Sequence, residues 1–395
     1  MLVKKSKFGY ILAISLVLTL LLTSCSKTTT TTATVTTTKT TSSTTTTAAA
    51  PAYKVPSIPI VNGPIASPSN ANHALGMLQV SGVPSGPTDF AYPKLPAGYS
   101  EAEYFFSDTA SIYEWVDPKD PKTTIRPVTG YTDIPYTTRM MVIYPTDAKN
   151  FSGNVFVNPM NPSTGHDLFV PWERSSDYFV RSGDAYVGWT CKSVCVAALQ
   201  AWNPTRYASL DWPYKPYTPG NNTAKYDGLT FEMAYQIGAL FKTNADGSPL
   251  KSYNVKRVYE AGFSQDGGFI STQITAFQHY FRLSDGSSVY DGYSPQGNTG
   301  GVTPTNMASV SQLLTPNGIL SVDNPKCVVS GSDVPVIFID TENEVKWATI
   351  PGQSNYNPWF TRADSDDPND LFLCGKYPVT VMLTMIPAAL PVSTS

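Results

Sequence analysis

The residues best suited to chemistry lie in "YEAGFSQDGGFI", Tyr259 to Ile270. Ser264 ends a short apolar run, with Gly262 two positions before it and Gly267 and Gly268 close behind. A serine hydroxyl becomes a nucleophile when a neighbouring base takes its proton and a third group orients that base. A strand, a sharp turn at serine and then a helix is the context of a nucleophile elbow. The turn pushes Oγ into the open at the strand end, and small neighbours let strand and helix come close. The helix N-terminus then aims N–H groups and positive dipole at a developing oxyanion. Position +2 carries Asp266 where the usual motif has glycine. A G-x-S triplet alone fits an ordinary turn equally well, so the surrounding elements decide.

Such a serine needs a histidine and an acid, and in the hydrolase order both follow it, the histidine last. "IDTENEV" offers Asp340, Glu342 and Glu344 after a later apolar run. The chain has three histidines, His73, His166 and His279, and none follows Glu344. His279 comes fifteen residues after Ser264 on the next helical segment, which at 1.5 Å per residue is about 22 Å away. His73 falls in an irregular N-terminal segment. His166 is the substitute to consider, because its loop borders the expected site. The histidines are scattered and no C-x-x-C occurs, so no zinc site or other metal is expected. No cofactor is expected either.

The elements that must position Ser264 are legible as short β-rich runs bounded by turn residues. They are "RMMVIYP" (139–145), "GNVFVNP" (153–159), "GDAYVGWT" (183–190), "VKRVYEAGFS" (255–264) and "VPVIFIDTE" (334–342). The later ones are almost continuously apolar, as strands buried on both faces are. Helical patterns lie between them: "WERSSDYFVRSG", "YDGLTFEMAYQIGALFKT" (226–243) and "GGFISTQITAFQHYF" directly after the serine. Alternation of strands and helices predicts an α/β domain with a mostly parallel sheet and helices on both faces. Residues 53–100, rich in Pro and Gly, read as an extended segment wrapping the domain.

Composition adds a compartment and excludes a partner class. Of the 395 residues, 41% are hydrophobic and 14% charged, and the net charge is −3. That material fills a sizeable core, and without a block of Lys and Arg no nucleic-acid partner is expected. Lys4, Lys5 and Lys7 precede the apolar run "FGYILAISLVLTLLLTSC", which reads as an export signal rather than a membrane span. Leu22-Thr23-Ser24-Cys25 resembles a bacterial lipobox, which implies cleavage before Cys25, lipidation of its thiol and a membrane anchor. Ordinary signal cleavage with a free Cys25 is the alternative. The Thr-rich segment 25–52 has almost no apolar side chains able to build a core and reads as a disordered tether. The expected organisation is therefore signal 1–24, tether 25–52 and folded domain 53–395, outside the cytoplasm. There the remaining cysteines, Cys191, Cys195, Cys327 and Cys374, are able to pair.

Several stretches in order carry a family resemblance. They are "PAGYSEAEYFFSDTASIYEW", "VNPMNPSTGHD", "SGDAYVGWT", "NPTRYASLDWP", "GFSQDGGFI", "YDGYSPQG" and "VPVIFIDTENEV". Over roughly 85–370 the chain resembles alpha/beta hydrolase domain proteins, many of them exported. The resemblance implies the alpha/beta hydrolase fold, Ser264 as nucleophile and an oxyanion hole using the backbone N–H of Gln265. The family's elbow is typically G-x-S-Q-S-G, so Gln265 matches and Asp266 departs. A second N–H is implied from the "NPMNPSTGHD" loop, with Asn158, Met160 and Asn161 as donors to consider; Asn161 is taken forward. The family's T-E-x-D or T-E-x-E makes Glu342 and Glu344 both candidates for the acid, with Glu344 preferred.

That family ordinarily ends in a pattern like W-E-V-P-G-x-S-H-x-D, whereas this chain reads "LCGKYPVTVMLTMIPAALPVSTS" after Phe372. Codons for Cys374 to Thr384, read from their third bases, permit W-E-V-P-G-x-S-H-x-D, with histidine spanning Val381 and Met382. The tail from about Leu373 is therefore expected to be a frameshifted translation. A divergent tail on a degenerate homologue is the plainer alternative. The resulting expectation is a membrane-anchored serine hydrolase, an esterase acting on a small-molecule ester through Ser-His-Glu. Its rival is an inactive, hydrolase-like surface lipoprotein that binds a ligand. A structural surface protein is a third reading, with the tether as its support.

Overall fold

The sheet that carries Ser264 is built around strands with almost no polar side chain to spare. β6 (Asn154–Pro159), β7 (Ala185–Trp189) and β8 (Arg257–Phe263) lie side by side at its centre. Val155, Val157, Val187 and Val258 are completely buried there. The computed structural model describes residues 53–65, 95–116, 125–163, 165–213, 227–297, 332–340, 373–374 and 377–383, the last two strands as backbone. The expected signal, the tether, His73, Glu342, Glu344 and Cys327 lie outside the described residues.

The other strands of the large sheet are β1 (Ile60–Ile65), β2 (Tyr99–Ala110), β5 (Ile134–Pro145), β9 (Gly292–Gln296), β10 (Val336–Asp340), β11 (Leu373–Cys374) and β12 (Tyr377–Leu383). Their order is β1-β2-β5-β7-β6-β8-β9-β10-β12-β11. From β7 to β12 every neighbour runs parallel, while β1, β2 and β5 form an antiparallel flank. Parallel strands put their C-terminal ends on one edge, which is where an open α/β sheet builds its site. A separate two-stranded ribbon joins β3 (Tyr113–Trp115) to β4 (Ile125–Pro127).

Side chains alternate between the sheet's two faces. Met141, Ile143 and Tyr186 meet Phe169, Trp172 and Phe179 of α1 (Val170–Ser182) and the loop before it. Met140, Val142, Val155 and Val187 meet the opposite layer, α2 (Ser193–Trp202), α3 (Thr230–Lys242) and α4 (Gln265–Thr272). This is the two-faced α/β arrangement expected from the sequence. α3 is buried along nearly its whole length and braces the helix behind the serine: Phe231 stacks on Phe269 at 4.6 Å and on Phe277 at 4.4 Å.

At the start of the folded part, Lys54 is pinned to the domain, while residues 66–94 of the expected wrapping segment lie outside the described residues. Lys54 exchanges backbone hydrogen bonds with Tyr280 and Arg282, and its Nζ donates to Glu232 at 2.5 Å. Glu232 is buried on α3 and also accepts from the Ser111 N–H and the Tyr113 hydroxyl. A buried carboxylate is tolerable only with such partners.

Three elements differ from the sequence expectation. β9, "GYSPQ", was not anticipated, because a glycine and a proline break the apolar run; it holds its place between β8 and β10 by backbone pairing. β2, half-buried at its start and fully buried from Glu103 to Phe106, falls where only family motifs pointed, and α2 was also missed. The helix after Ser264 does not continue as one α-helix: α4 ends at Thr272 and a π-helical turn, Gln273–Phe277, follows. Cys191 and Cys195 are buried free thiols rather than a pair.

Candidate active site

β8 ends at Phe263 and α4 starts at Gln265, so Ser264 is the whole turn between them. Its backbone stands at φ 61° and ψ −112°. A side-chain-bearing residue in this region costs about 1–3 kcal/mol and persists only where the surroundings impose it. They do so here: the Ser264 N–H donates to the Gln296 carbonyl of β9 at 2.8 Å, and the Ser264 carbonyl accepts from Gly268 at 3.0 Å. Ser264 thus stands at a strained turn between a strand and a helix, the setting expected for it from the sequence. Gln265 is the first residue of α4, so its N–H belongs to the first turn, where no intrahelical acceptor exists.

Gly262 is required by space. A Cβ built there would lie 2.6 Å from Asp266 Oδ2 and 2.9 Å from Ile270 Cδ1. Asp266, the departure in the motif, is buried beneath the elbow. Its Oδ2 accepts from the Phe263 N–H at 2.8 Å and from Asn158 Nδ2 at 3.1 Å. Burial pushes its carboxyl up to about 8, against hydrogen bonds that favour the charged form. Glu260 on β8 is fully buried, accepts from Gln273 Nε2 at 2.7 Å, and is likewise pushed up to about 8, chiefly by burial.

The loop after β6 meets the elbow. Asn161 Nδ2 donates to the Phe263 carbonyl at 2.5 Å. Asn158 Nδ2 faces the Ala261 carbonyl at 2.8 Å, and its Oδ1 accepts from the Tyr186 hydroxyl at 2.7 Å. The oxyanion expectation for this loop needs correction at the backbone. Asn161 N–H donates to the Leu168 carbonyl at 2.8 Å in an antiparallel bridge, and Met160 N–H donates to the Trp189 carbonyl at 3.0 Å. Both main-chain donors are thus engaged within the protein, and the Asn158 side chain is spent on the elbow. These asparagines tie the loop to the serine turn, a role sequence reading missed. The one signal was a pair of asparagines in an otherwise apolar strand end.

β10 ends at Asp340 on the same edge as Ser264: Ile339 and Phe263 are both paired with Gln296 of β9. Glu342 and Glu344 follow that strand end in sequence. His166 is buried in the loop between Asn161 and α1. His279 is exposed beyond the π-helical turn, with Nδ1 2.8 Å from an Arg282 nitrogen. Cys191, close to this edge, is no rival nucleophile. Burial raises its thiol well above the usual range, and its Sγ donates to the Met160 carbonyl at 3.1 Å. Among the described residues no cluster of His, Cys, Asp and Glu suits a metal ion.

Beside the edge lies a buried ionic network. Arg139 of β5 is fully buried and donates to Glu103 Oε1 at 2.9 Å and to Thr190 Oγ1 at 3.1 Å, with Asp167 Oδ2 at 3.4 Å. Arg206 and Tyr207 also donate to Glu103. Burial works against the Arg139 charge, but Tyr207, Glu103 and Asp167 outweigh it.

Solved structures with some likeness to this chain include a prolyl endopeptidase, at TM-score 0.37 and 10% identity, over 74% of this chain and 35% of that one. The carboxylesterase Cest-2923 from Lactobacillus plantarum WCFS1 has TM-score 0.37 and 9% identity, over 64% of this chain and 79% of its own. Esterase B from Lactobacillus rhamnosis, in an inhibited form, has TM-score 0.36 and 11% identity, over 74% and 77%. No curated protein matches the chain. The family model described as alpha/beta hydrolase domain matches residues 61–361, and the chain belongs to that family.

Proposed function

We propose that this protein is a serine hydrolase acting on small-molecule esters, with Ser264 as its nucleophile. The observation that carries this reading is the strained φ of 61° at Ser264, between the end of β8 and the first turn of α4. Oγ attacks the ester carbonyl while a histidine takes its proton. The alkoxide leaves with a proton returned by that histidine, and water then releases the acyl group. The Gln265 N–H supports the oxyanion. Glu344, or Glu342, orients the histidine. The histidine itself is the one encoded across Val381 and Met382 in the neighbouring frame.

We further propose export and anchoring through a lipidated Cys25, with 25–52 as the tether. The Leu22-Thr23-Ser24-Cys25 sequence supports this. Globomycin, which blocks lipoprotein signal cleavage, tests it: accumulation of the uncleaved chain is expected, and unchanged processing overturns it.

The rival reading is a hydrolase-like protein that binds a ligand without turning it over. It is favoured by the lack of any histidine after Glu344 in these 395 residues. A fluorophosphonate probe separates the two. With the tail in the restored frame, Ser264 is expected to label and Ser264→Ala to stay blank. No labelling of Ser264 in that protein favours the binder.

A further inference from the structure

We propose that Asp266 is a positioning residue that holds the Ser264 elbow as a neutral acid, and that its ionisation slows the serine. The proposal rests on the hydrolase reading of Ser264. The geometry is that of a clamp. Oδ2 takes the Phe263 N–H at 2.8 Å, one residue before the nucleophile, and Asn158 Nδ2 at 3.1 Å, from the strand on the other side of β8 from β9. Asn158 is itself fixed by the Tyr186 hydroxyl. One carboxyl oxygen thus joins β6, β8 and the first turn of α4. Gly262 supplies the space, since any side chain there would strike Oδ2.

The other oxygen makes the group sensitive to charge. Asp266 is 2% exposed, and Oδ1 has no hydrogen-bond partner among the described residues. A buried oxygen with no donor accepts a proton more readily than a net charge. The titratable groups facing Asp266 are Glu260 on β8 and Cys191 after β7, and both interact unfavourably with its negative form. Asn158, Asn161 and Tyr186 offer dipoles but no cation. The positive end of α4, the Phe263 and Asp266 N–H groups and the Asn158 and Asn161 side chains pull the other way, yet burial dominates and pushes the carboxyl up to about 8. Once ionised, it would set a negative charge one residue beyond the Gln265 N–H. That charge opposes the oxyanion the same N–H is meant to stabilise.

The test is the rate at which an uncharged organophosphate labels Ser264 between pH 6 and 9.5. It is measured on the 395-residue chain and on the chain with its tail in the restored frame. Wild type is expected to slow at least about tenfold through pH 8 relative to Asp266→Asn, because a unit charge within about 12 Å at an effective dielectric near 20 changes a rate by about tenfold or more. Asp266→Asn keeps the clamp and loses the fall, whereas Asp266→Ser is too short for the clamp and labels slowly at every pH. A wild-type profile that never falls, or the same fall in Asp266→Asn, overturns the proposal. The melting temperatures of wild type and Asp266→Asn provide a second readout that does not need a reactive serine. Their difference should grow in favour of Asp266→Asn from pH 5.5 to 8.5, and a constant difference overturns the proposal too. Ser264 unreactive in all variants, with that thermal signature present, removes the hydrolase reading and leaves Asp266 a structural clamp that titrates.

Discussion

The Asn161 side-chain amide donates to the Phe263 carbonyl at 2.5 Å, joining the loop after β6 to the residue directly before Ser264. The bond fixes the relative height of two strand ends beside Ser264. Asn161→Ala leaves the Phe263 carbonyl without this donor, and an unsatisfied buried group costs about 1–3 kcal/mol. The expected outcome is a folded protein, melting a few degrees lower, whose Ser264 labels several-fold more slowly with fluorophosphonate. Unchanged labelling would show that the loop does not set the elbow.

Gly262→Ala tests the same elbow from below. The new methyl would meet Asp266 Oδ2 at 2.6 Å and the Asp266 carbonyl carbon at 3.1 Å, the second of which is backbone and cannot swing aside. Overpacking of this kind costs about 1–3 kcal/mol. Urea denaturation should register that loss, together with loss of Ser264 labelling. A variant as stable and reactive as wild type would mean that the turn is looser than the geometry requires.

The buried ion network predicts an asymmetric mutational response. Arg139→Ala leaves Glu103 and Asp167 buried beside an empty site, and breaking a buried pair from one side costs about 3–5 kcal/mol. It is expected to express poorly or to melt far below wild type. Replacing Arg139, Glu103 and Asp167 together with apolar residues of similar volume should recover much of that stability, as measured by calorimetry. Equal damage from the single and the triple replacement would assign the network a role beyond charge balance.

Two buried carboxyls set a direction for stability against pH. Glu260 and Asp266 are each raised to about 8 in the fold, whereas unfolded carboxyls titrate near 4. Between these values the folded state binds more protons than the unfolded state, so stability falls as pH rises toward 8 and levels off above it. Each group contributes at most about 1.4 kcal/mol per pH unit in that window. Glu260→Gln, which preserves a partner for Gln273, should flatten the fall by about half in urea titrations at pH 5 to 8. A flat profile over that range would mean that both carboxyls are ionised in the fold.

How much of this was legible beforehand follows from the physics of each element. β8 and its serine announced themselves because a strand buried on both faces is mostly apolar, with Glu260 its buried polar exception, and the turn after it must be small. β9 stayed hidden because "GYSPQ" carries one large apolar side chain, Tyr293, among Gly292 and Pro295, and holds its place mainly by backbone pairing opposite Tyr259 and Gly262. The π-helical turn at Gln273–Phe277 has no pattern distinct from an α-helix in the sequence. The link from Asn158 to Asp266 spans 108 positions, and no local spacing encodes it. Asp266 was visible only as a mismatch, and its reason lies in the strand next door.

The last prediction concerns the histidine. In β12, Met382 pairs with Ile339 of β10, which pairs with Gln296 of β9, which pairs with Phe263. Three strand spacings of about 4.8 Å put position 382 about 14 Å from the nucleophile's neighbour. No side chain held within that strand reaches Ser264. A histidine there must leave the sheet on a turn, and the neighbouring frame permits Val-Pro-Gly just ahead of it. Proline cannot donate to the ladder and glycine supplies the bend, so that frame would end the strand early and free the histidine to fold back. Resequencing codons 365–395 decides whether the gene carries this frame. A histidine codon spanning Val381 and Met382, with Ser264 labelling restored by the corrected tail and abolished by replacing that histidine, is the expected result. A neighbouring frame without that codon ends the idea.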